Sequence, residues 1–593
     1  MSSKEIHAAK FKGRGKTLEQ RRRARQETAI ELRKNKREDQ LSKRRNIVVN
    51  SDDDLETDTP PVNEGLSRGT DNGNNKENSV PGSLQNNNGQ ISQESNSIDK
   101  RPTPIMSLDK IIKGIQTNVE LMSQQKKIPN FGHLHECVQH CRKMLSREKQ
   151  PPIDTIIKSG LVPYLSDLLQ LDIIIQGYCI NDPAVKNLGP KDEEVIIQTI
   201  FEAAWALTNI CSGNSNQTHA VVHAGAIPKF VRLLANTSHL NIVEQAAWAI
   251  GNIAGDGPEL RDKVLEGGVL DPLLKLIDLP GVSVGFLQNT TWTISNLCRN
   301  KEPPTELVYV NEILPSLVRL LSHEDRQIKT DAGWAMSYLT DGTNDRIDMV
   351  LHHNSLPVLI HLLSHSEDLS VLTPVLRTVG NIVTGTDQQT QAVIDTGALS
   401  SFQRLLNHPK QSIQKEAAWT LSNITAGTAS QIQSVIDAQL LAPIVKCLAE
   451  GDFRTQKESV WVVTNFTSGG TPEQIHKLCS TGVIRCLCDL LTCNDERIVQ
   501  VLLDGLQNIL IHAEKLGCLE EAIDLIEECD GLDKIEQLQN SANEDVYRTA
   551  YRLIDQYFGE EENDGGVVLD TVGANGEFQF EIEEQGSSGV INF

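Results

Sequence analysis

The sequence predicts an all-α protein whose helical units repeat along most of the chain and stack into a superhelical solenoid. Two recurring phrases carry this prediction. The first is a Gly-led amphipathic run, such as GAIPKFVRLL from Gly225 or GALSSFQRLL from Gly397. The second is a longer helical phrase that follows it, such as VEQAAWAIGNI or KEAAWTLSNI. A single unit of this size cannot bury its apolar face alone, so neighbouring units must stack.

The second phrase recurs at a nearly constant interval. Its central position recurs after 43, 44, 42, 43, 42, 42 and 43 residues, at Trp205, Trp248, Trp292, Trp334, Arg377, Trp419, Trp461 and Asp504. A helical period near 42 residues lies within the range of HEAT and armadillo units. We therefore predict one right-handed solenoid of about ten repeats over residues 105–558, in place of several separate domains.

The segments that flank the repeats have a different composition. Residues 1–45 contain 16 Lys and Arg against 6 Asp and Glu, although the chain as a whole has a net charge of −23. We assign residues 1–50 to a basic, helix-prone arm. Residues 51–104 are rich in Asn, Ser and Asp, which predicts a disordered linker. Residues 559–593 contain nine acids and no Lys or Arg, which predicts an acidic, disordered tail.

Charge and hydropathy exclude several classes of protein. The acidic chain argues against direct nucleic-acid binding, because neutralising phosphates requires surplus Lys and Arg. The N-terminus lacks the apolar core of a secretory signal, and no run of about 18 apolar residues suggests a membrane span. The 12 Cys are scattered at core-like positions, which favours free thiols. We therefore expect a soluble, intracellular protein.

One short stretch has the composition of a metal site, and it contains His133, His135, Cys137, His140 and Cys141. Three of these residues share a helical face, so a metal site is conceivable. No second pair of ligands at structural-zinc spacing follows, and the stretch has the pattern of an ordinary amphipathic helix. We favour the helix and predict neither a metal nor a cofactor.

The sequence also disfavours an enzyme. It contains no GxxxxGK loop, and GRGK at Gly13 lies in the basic arm without a preceding strand. No Ser/His/Asp arrangement or zinc-hydrolase spacing is recognisable. We predict a binding protein without catalytic residues.

All six Trp of the chain belong to the second phrase, and most are followed four residues later by Asn. An isolated Trp on a repeated helix would most simply be a core residue. Trp248 and Asn252, however, lie roughly 150° around their helix from the apolar stripe. That stripe consists of Val243, Ala247, Ile250 and Ala254. We therefore predict that the Trp and Asn side chains line a binding groove.

The chemistry of this Trp-Asn ladder predicts a basic peptide as the ligand. Asn side chains can bond the backbone of an extended peptide, and an indole accepts a Lys or Arg stem with a cation–π contact of about 0.5–2 kcal/mol. Acids lie beside the ladder at Glu202, Asp256, Asp331, Asp341, Glu416 and Glu458. The ladder is interrupted at Tyr338 and Arg377, so we expect a larger site before the interruption and a smaller one after it.

The phrases FEAAWALTNI, TWTISNLCRN, RTVGNIVTG and VTNFTSGGT resemble those of the importin-alpha (karyopherin-alpha) family of armadillo adaptors. The resemblance implies that the ladder binds nuclear localisation signals. The implied major site comprises Trp205, Asn209, Gly213, Thr218, Trp248, Asn252, Asp256, Asn289, Trp292, Asn296 and Asp331. The implied minor site comprises Arg377, Asn381, Glu416, Trp419, Asn423, Glu458, Trp461 and Asn465.

The resemblance also assigns partners to the two ends of the chain. The basic arm is similar to an importin-beta-binding segment; the alternatives are a solvated basic helix or a nucleic-acid arm. We hypothesise that Lys43, Arg44 and Arg45 mimic a cargo signal and inhibit the groove in cis through the long linker. The C-terminal repeat, from Gly531, resembles the part of the family that binds an export receptor of the CAS type with Ran-GTP. Nucleoporins are a further class of partner, and the expected protein shuttles between cytoplasm and nucleus.

Two features depart from the family pattern. The linker is long and rich in Asn and Ser, and IIIQGYCINDPAVKNLGPKDEE, over residues 173–194, is an insertion beside the predicted major site. The competing interpretation is a general scaffold of the catenin type, which would present a basic groove to acidic ligands. The acids beside the ladder disfavour it.

Overall fold

A computed structural model describes residues 106–146, 151–179, 182–299 and 302–559 of the chain. The regular elements in these ranges are α-helices and two short 3₁₀ helices, which confirms the predicted all-α class. The basic arm with Lys43, Arg44 and Arg45, the linker and the acidic tail lie outside the described residues.

The chain forms two compact units, which meet in sequence between residues 404 and 405. The first helices of the N-terminal unit are α1 (Leu108–Gln125), α2 (Phe131–Leu145), α3 (Ile153–Lys158), α4 (Leu161–Leu168), α5 (Leu171–Tyr178), η1 (Pro183–Asn187), α6 (Pro190–Cys211), α7 (Ser215–His223), α8 (Ala226–Ala235) and α9 (Leu240–Asp256). The later ones are α10 (Pro258–Glu266), α11 (Leu270–Lys275), α12 (Val284–Cys298), α13 (Leu307–Leu321), α14 (Arg326–Thr340), α15 (Asn344–His352), α16 (Leu356–His365), α17 (Leu369–Ile382), α18 (Asp387–Asp395) and η2 (Ala398–Ser401).

Helix α19 (Phe402–Leu406) contains the division between the units. The C-terminal unit continues with α20 (Gln411–Thr425), α21 (Ala429–Asp437), α22 (Leu441–Glu450), α23 (Phe453–Gly469), α24 (Pro472–Cys479), α25 (Val483–Leu490), α26 (Glu496–Leu516), α27 (Leu519–Glu527), α28 (Gly531–Leu538) and α29 (Glu544–Tyr557).

Within each unit a repeat typically consists of two short helices followed by a long one. The Gly-led phrase begins the second short helix because the chain turns sharply there. Gly225 has a φ of 70°, a left-handed conformation that glycine adopts without a steric penalty. The long third helix carries the second phrase, and its apolar stripe forms the core. Val243, Ala247, Ile250 and Ala254 are all 0% exposed, as predicted.

Adjacent repeats are also joined by glutamine side chains at the starts of the first helices. Thr386 and Gln389 form a reciprocal capping box, in which each side chain bonds the backbone of the other residue. The amide of Gln389 then donates to the carbonyl of Asn344 (2.9 Å) and to the carboxylate of Asp348 (2.7 Å) in the preceding repeat. One residue thus caps its own helix and fixes the spacing to its neighbour.

The insertion folds as the end of α5, the short η1 and the start of α6. The Asp182 carboxylate accepts the N–H groups of Ala184 and Ile128, both at 3.0 Å. Because Ile128 lies between α1 and α2, this contact ties the insertion to the first repeat. The insertion is therefore an ordered part of the N-terminal unit over the residues that the structure describes.

The suggested metal ligands lie on α2. Cys137 and Cys141 are buried in the core, and burial raises their pKa values to about 11 and about 12, so both are neutral thiols. The described residues contain no group of three or more His, Cys, Asp or Glu side chains that could hold a metal ion. All 12 cysteines of the chain are free.

No single helix in the described ranges has the length and apolarity needed to cross a membrane. The bent pair α21 and α22, with an angle of 86° between them, meets that test of length and composition together.

Candidate peptide-binding surface

The structure places the first three ladder tryptophans on the successive long helices α6, α9 and α12 of the N-terminal unit. Trp205, Trp248 and Trp292 are each half-buried, so their rings are neither core residues nor fully solvated. The rings of Trp248 and Trp292 lie 5.9 Å apart between centroids, with 43° between their planes. Two neighbouring repeats therefore bring two indoles side by side, as the ladder pattern predicts.

The ladder asparagines have a structural role that the sequence pattern does not reveal. In four repeats the Asn amide donates across to a backbone carbonyl of the preceding long helix. These bonds join Asn252 to Thr208 (3.3 Å), Asn296 to Gly251 (3.0 Å), Asn381 to Ser337 (2.9 Å) and Asn465 to Ser422 (2.7 Å). The sequence predicts that these amides bond the backbone of a peptide, whereas in the structure part of their hydrogen-bonding capacity joins the repeats.

Asn289 lies one turn before Trp292, and only one of its two side-chain polar atoms has a hydrogen-bond partner. Its amide nitrogen donates to the carbonyl of Glu244 at 2.9 Å. Its Oδ1 atom is buried and accepts no hydrogen bond. A buried acceptor without a donor is unfavourable by about 1–3 kcal/mol. Because this acceptor is buried, it is not presented to a bound chain, and the contact that the structure shows for Asn289 joins α12 to α9.

Asp256 ends helix α9 and lies in a small polar cluster. Its carboxylate accepts the hydroxyl of Ser215 at 2.8 Å and lies 3.9 Å from Nδ1 of His219. With 10% of its side chain exposed, Asp256 is largely but not completely buried. Neither Ser215 nor His219 was predicted to belong to the site, because their contact with α9 spans about one repeat and no local pattern reveals it.

Gly213 and Thr218 shape the turn beside this cluster. A Cβ atom on Gly213 would lie 1.8 Å from Oε1 of Gln217, so a larger residue there would displace the side chain that caps Asn214. Thr218 is 0% exposed, and its hydroxyl donates to the carbonyl of Cys211 at 3.2 Å. Both residues position the backbone of the predicted major site, and Thr218 does so without exposing its side chain.

Glu202 is not an open acid beside the ladder, which corrects the sequence interpretation. Its carboxylate forms a bidentate ion pair with Arg142 from α2, with distances of 2.5 and 3.0 Å. The guanidinium carbon of Arg142 also lies 4.2 Å from the centroid of the Trp205 ring. No local pattern reveals Arg142, because it lies 63 residues before Trp205, outside the interval of 42 to 44 residues that relates the other ladder positions.

Asp331 lies one turn before Trp334 on α14 and is only 8% exposed. Burial raises the pKa of this carboxyl to about 7, against the opposing effect of hydrogen bonds from Gln327 at 3.2 Å. Asp331 is therefore partly protonated at neutral pH. A ligand cation beside it would favour the ionised form.

We predict that Asp331→Asn stabilises the protein above pH 7 and has little effect near pH 4. The folded state binds more protons at Asp331 than the unfolded state between about pH 4 and 7, so the free energy of unfolding falls as pH rises through that range. A pKa raised from its ordinary value to about 7 corresponds to about 4 kcal/mol, at about 1.4 kcal/mol per pKa unit. At pH 8 the variant should be more stable by up to that amount, measured by urea titration. Exposed Asp345→Asn is the control, and an equal gain at pH 4 and pH 8 would contradict the assignment.

Between the two predicted sites, Tyr338 and Arg377 replace an Asn and a Trp of the ladder. Trp334 stacks on Tyr338 one turn later, with 6.1 Å between centroids and 25° between planes. Arg377 on α17 occupies the Trp position of the next repeat and is half-buried, while Asn381 is buried. The interruption that the sequence predicts is therefore present at the end of the N-terminal unit.

The C-terminal unit carries the remaining ladder residues on α20 and α23. Trp419, Asn423, Trp461 and Asn465 are all half-buried. Asn423 donates to the carbonyl of Trp419 in its own helix at 3.1 Å.

The two acids beside these tryptophans differ in exposure. Glu416 is 5% exposed and lies 3.3 Å from Nζ of Lys415, whereas Glu458 is half-buried. The unit thus repeats the indole, amide and acid pattern of the larger site on two successive long helices.

Comparison with known proteins assigns this arrangement to a class. The family model described as Armadillo/beta-catenin-like repeat matches residues 214–255, 301–341, 343–384, 386–426, 428–468 and 471–511. The Atypical Arm repeat model matches residues 520–571. The crystal structure of an engineered protein from a structural genomics consortium superposes with a TM-score of 0.62 at 25% identity, covering 75% of this chain and 99% of that one. The protein is an armadillo-repeat protein, as predicted.

The relatives in sequence narrow this class to one family. Residues 7–120 match the model described as Importin beta binding domain, a longer stretch than the predicted arm. Importin subunit alpha-1b of Oryza sativa subsp. japonica is 47% identical over 435 residues, or 72% of this chain and 77% of the relative. Importin subunit alpha-4 of Arabidopsis thaliana is 40% identical over 558 residues, or 93% and 91%. The chain belongs to the importin subunit alpha family, and it is a nuclear import adaptor that links to importin-beta.

Proposed function

We propose that this importin-alpha binds Lys- and Arg-rich nuclear localisation signals directly on the Trp-Asn ladder. The observation that carries the proposal is the pair of half-buried indoles of Trp248 and Trp292, 5.9 Å apart. An aliphatic Lys or Arg stem that enters beside these rings loses contact with water while its cationic head gains the attraction of the ring faces. Asp256 ends helix α9, and Asp331 lies one turn before Trp334 on α14, so each is placed to pair with such a cation.

The resident pair of Arg142 and Trp205 supports this chemistry from within the molecule. The protein itself places a guanidinium over a ladder indole and pairs it with the acid one turn earlier. The ladder surface is therefore compatible with a cation in this geometry. We assign the major site to the residues around Trp205, Trp248 and Trp292, and the minor site to those around Trp419 and Trp461.

We further propose that the arm inhibits the ladder in cis. Lys43, Arg44 and Arg45 form a basic cluster of the kind that the ladder is proposed to bind. A tether of about 60 residues keeps this cluster at a high effective concentration near the site. Importin-beta would relieve the inhibition by sequestering the arm. The export receptor of the CAS type with Ran-GTP at the C-terminal repeat, the nucleoporin contacts and shuttling between cytoplasm and nucleus are proposed on the family relationship alone.

A titration with a fluorescent Lys-rich peptide tests both proposals. We expect the variant Lys43→Ala/Arg44→Ala/Arg45→Ala to bind the peptide at least about tenfold more tightly than the unmodified chain, because the competing cluster is absent. Adding Trp205→Ala, Asn209→Ala, Trp248→Ala and Asn252→Ala should then abolish binding.

The two proposals fail separately. Undiminished binding by the ladder variant would overturn the site. Equal affinity of the unmodified chain and the arm variant would overturn the inhibition alone.

A further inference from the structure

The ladder helix α6 has an acid, a Trp and an Asn at fixed spacing. Helix α2 and its C-cap residue have Gln139, Arg142 and Ser146 at the same spacing. Gln139 donates to Glu202 at 3.4 Å, and the hydroxyl of Ser146 accepts the amide of Asn209 at 2.9 Å. Glu202 lies three residues before the ladder position of α6, and Asn209 lies four residues after it. Gln139 and Ser146 have the same spacing about Arg142. Arg142 therefore occupies the ladder position of the first repeat and faces Trp205.

The separation of these two residues in sequence hides the relationship. Each pair in register is 63 residues apart, whereas the later ladder positions are 42 to 44 apart. The insertion between α5 and α6 accounts for the difference of about 20 residues. The regular interval of the ladder positions therefore begins at Trp205, and the first repeat lies outside it.

Arg142 is held in place more firmly than an ordinary surface arginine. Its side chain is 13% exposed, and that of Glu202 is 8% exposed. Its guanidinium pairs with both carboxylate oxygens of Glu202 and lies 4.2 Å from the Trp205 ring centroid. These are the contacts that the proposed function assigns to a ligand Lys or Arg, namely an indole face and a nearby acid. We call the space beside a ladder indole, between two successive long helices, a slot. The slot between α2 and α6 is thus filled by a cation of the protein.

We propose that Arg142 is a specificity-determining residue that ends the series of cation slots at Trp205 and so sets the register of the bound peptide. This inference rests on the proposed function. A basic residue of the ligand that extends past Trp205 finds its slot occupied and meets a like charge. A ligand is consequently accepted with its basic run aligned on the slots beyond Trp205. A longer basic run gains nothing at this end.

The test compares three fluorescent peptides of equal length on the full chain with Lys43, Arg44 and Arg45 replaced by Ala. The core peptide has a short basic run flanked by Ala, and the other two extend that run by three Lys on the N-terminal or the C-terminal side. An extended chain rises about 3.3 Å per residue and helices pack about 8–10 Å apart, so three residues reach the next slot. Relative to its effect on the core peptide, Arg142→Ala should strengthen the binding of one extended peptide by at least about fivefold.

Two matched variants separate specificity from loss of structure. Arg142→Lys keeps a cation in the slot and should show no gain for either extended peptide. Arg142→Ala/Glu202→Gln empties the slot and removes its acid, so it leaves no unpaired buried charge. It should abolish the gain in affinity for the extended peptide, because no acid remains to pair with the added Lys. Circular dichroism melting confirms that each variant is folded.

The outcomes distinguish this inference from the proposed function. Binding of the core peptide that depends on Trp248, with no gain for either extended peptide in Arg142→Ala, would overturn the role of Arg142 alone. A gain shared by Arg142→Lys would also overturn it, because the slot would then not be closed by charge. Failure of the core peptide to bind, or binding that ignores Trp248→Ala, would overturn the proposed function itself.

Discussion

Replacing Trp248 and Trp292 together by Ala is expected to weaken the binding of a Lys-rich peptide by about 100-fold or more. Each indole can contribute about 0.5–2 kcal/mol as a cation–π partner and also covers the aliphatic stem of the bound side chain. Loss of both removes about 3 kcal/mol, and every 1.4 kcal/mol is a factor of ten in affinity. The two rings lie 5.9 Å apart, so both contribute to the same part of the surface.

The matched control for this double variant is Trp334→Ala. Trp334 is also a half-buried ladder tryptophan, but its ring stacks on Tyr338 and lies beyond the proposed core of the major site. We expect its removal to change affinity by less than about threefold. Isothermal titration with a short basic peptide measures both, at two salt concentrations. Equal losses in the two variants would show that the proposed slots do not define the site.

Replacing Arg261 by Met should destabilise the N-terminal unit by about 3–5 kcal/mol, a typical result of breaking a buried charged network. The Arg261 side chain is 0% exposed and donates to the carbonyls of Arg299 and Pro303, both at 2.8 Å. It also pairs with Asp262. Arg261 therefore holds the connection that leaves helix α12, the helix of Trp292, where this repeat has an irregular segment before α13.

Urea titration followed by tryptophan fluorescence measures this effect, since four of the six Trp lie in the N-terminal unit. Arg319→Ala is the control: its side chain is 54% exposed and pairs with Asp278 at the surface, so the expected loss is below about 1 kcal/mol. Arg346, which donates to the carbonyl of Thr305, should resemble Arg261. Its pKa is lowered by burial and by the neighbouring charge of Arg261. A loss at Arg261 no larger than at Arg319 would contradict the role of the buried network.

Much of the candidate site was predictable because its members recur at one interval. The near-constant spacing of the tryptophans assigned each to an equivalent helix, and the offset from the apolar stripe at Val243 and Ala247 placed them beside the core. Both inferences follow from helical periodicity, which is a local property of the chain. The acids were predicted less well, because spacing alone does not show whether a carboxylate already has a partner. Glu202 and Asp331 each lie three residues before a ladder Trp. The Glu202 carboxylate is paired with Arg142, whereas burial raises the pKa of the Asp331 carboxyl.

The sequence by itself determined the repeat, the helical face of each ladder residue and the chemistry of the ladder. Each of these depends on contacts within one helical turn or one repeat. Tertiary packing decided which groups remain available to a ligand. It joined the amides of Asn252 and Asn296 to neighbouring helices and brought Ser215 to Asp256. It also placed the guanidinium of Arg142 over the ring of Trp205, a residue 63 positions later in the chain. These contacts span a repeat or more, and a side chain's partner at that distance is set by how helices stack.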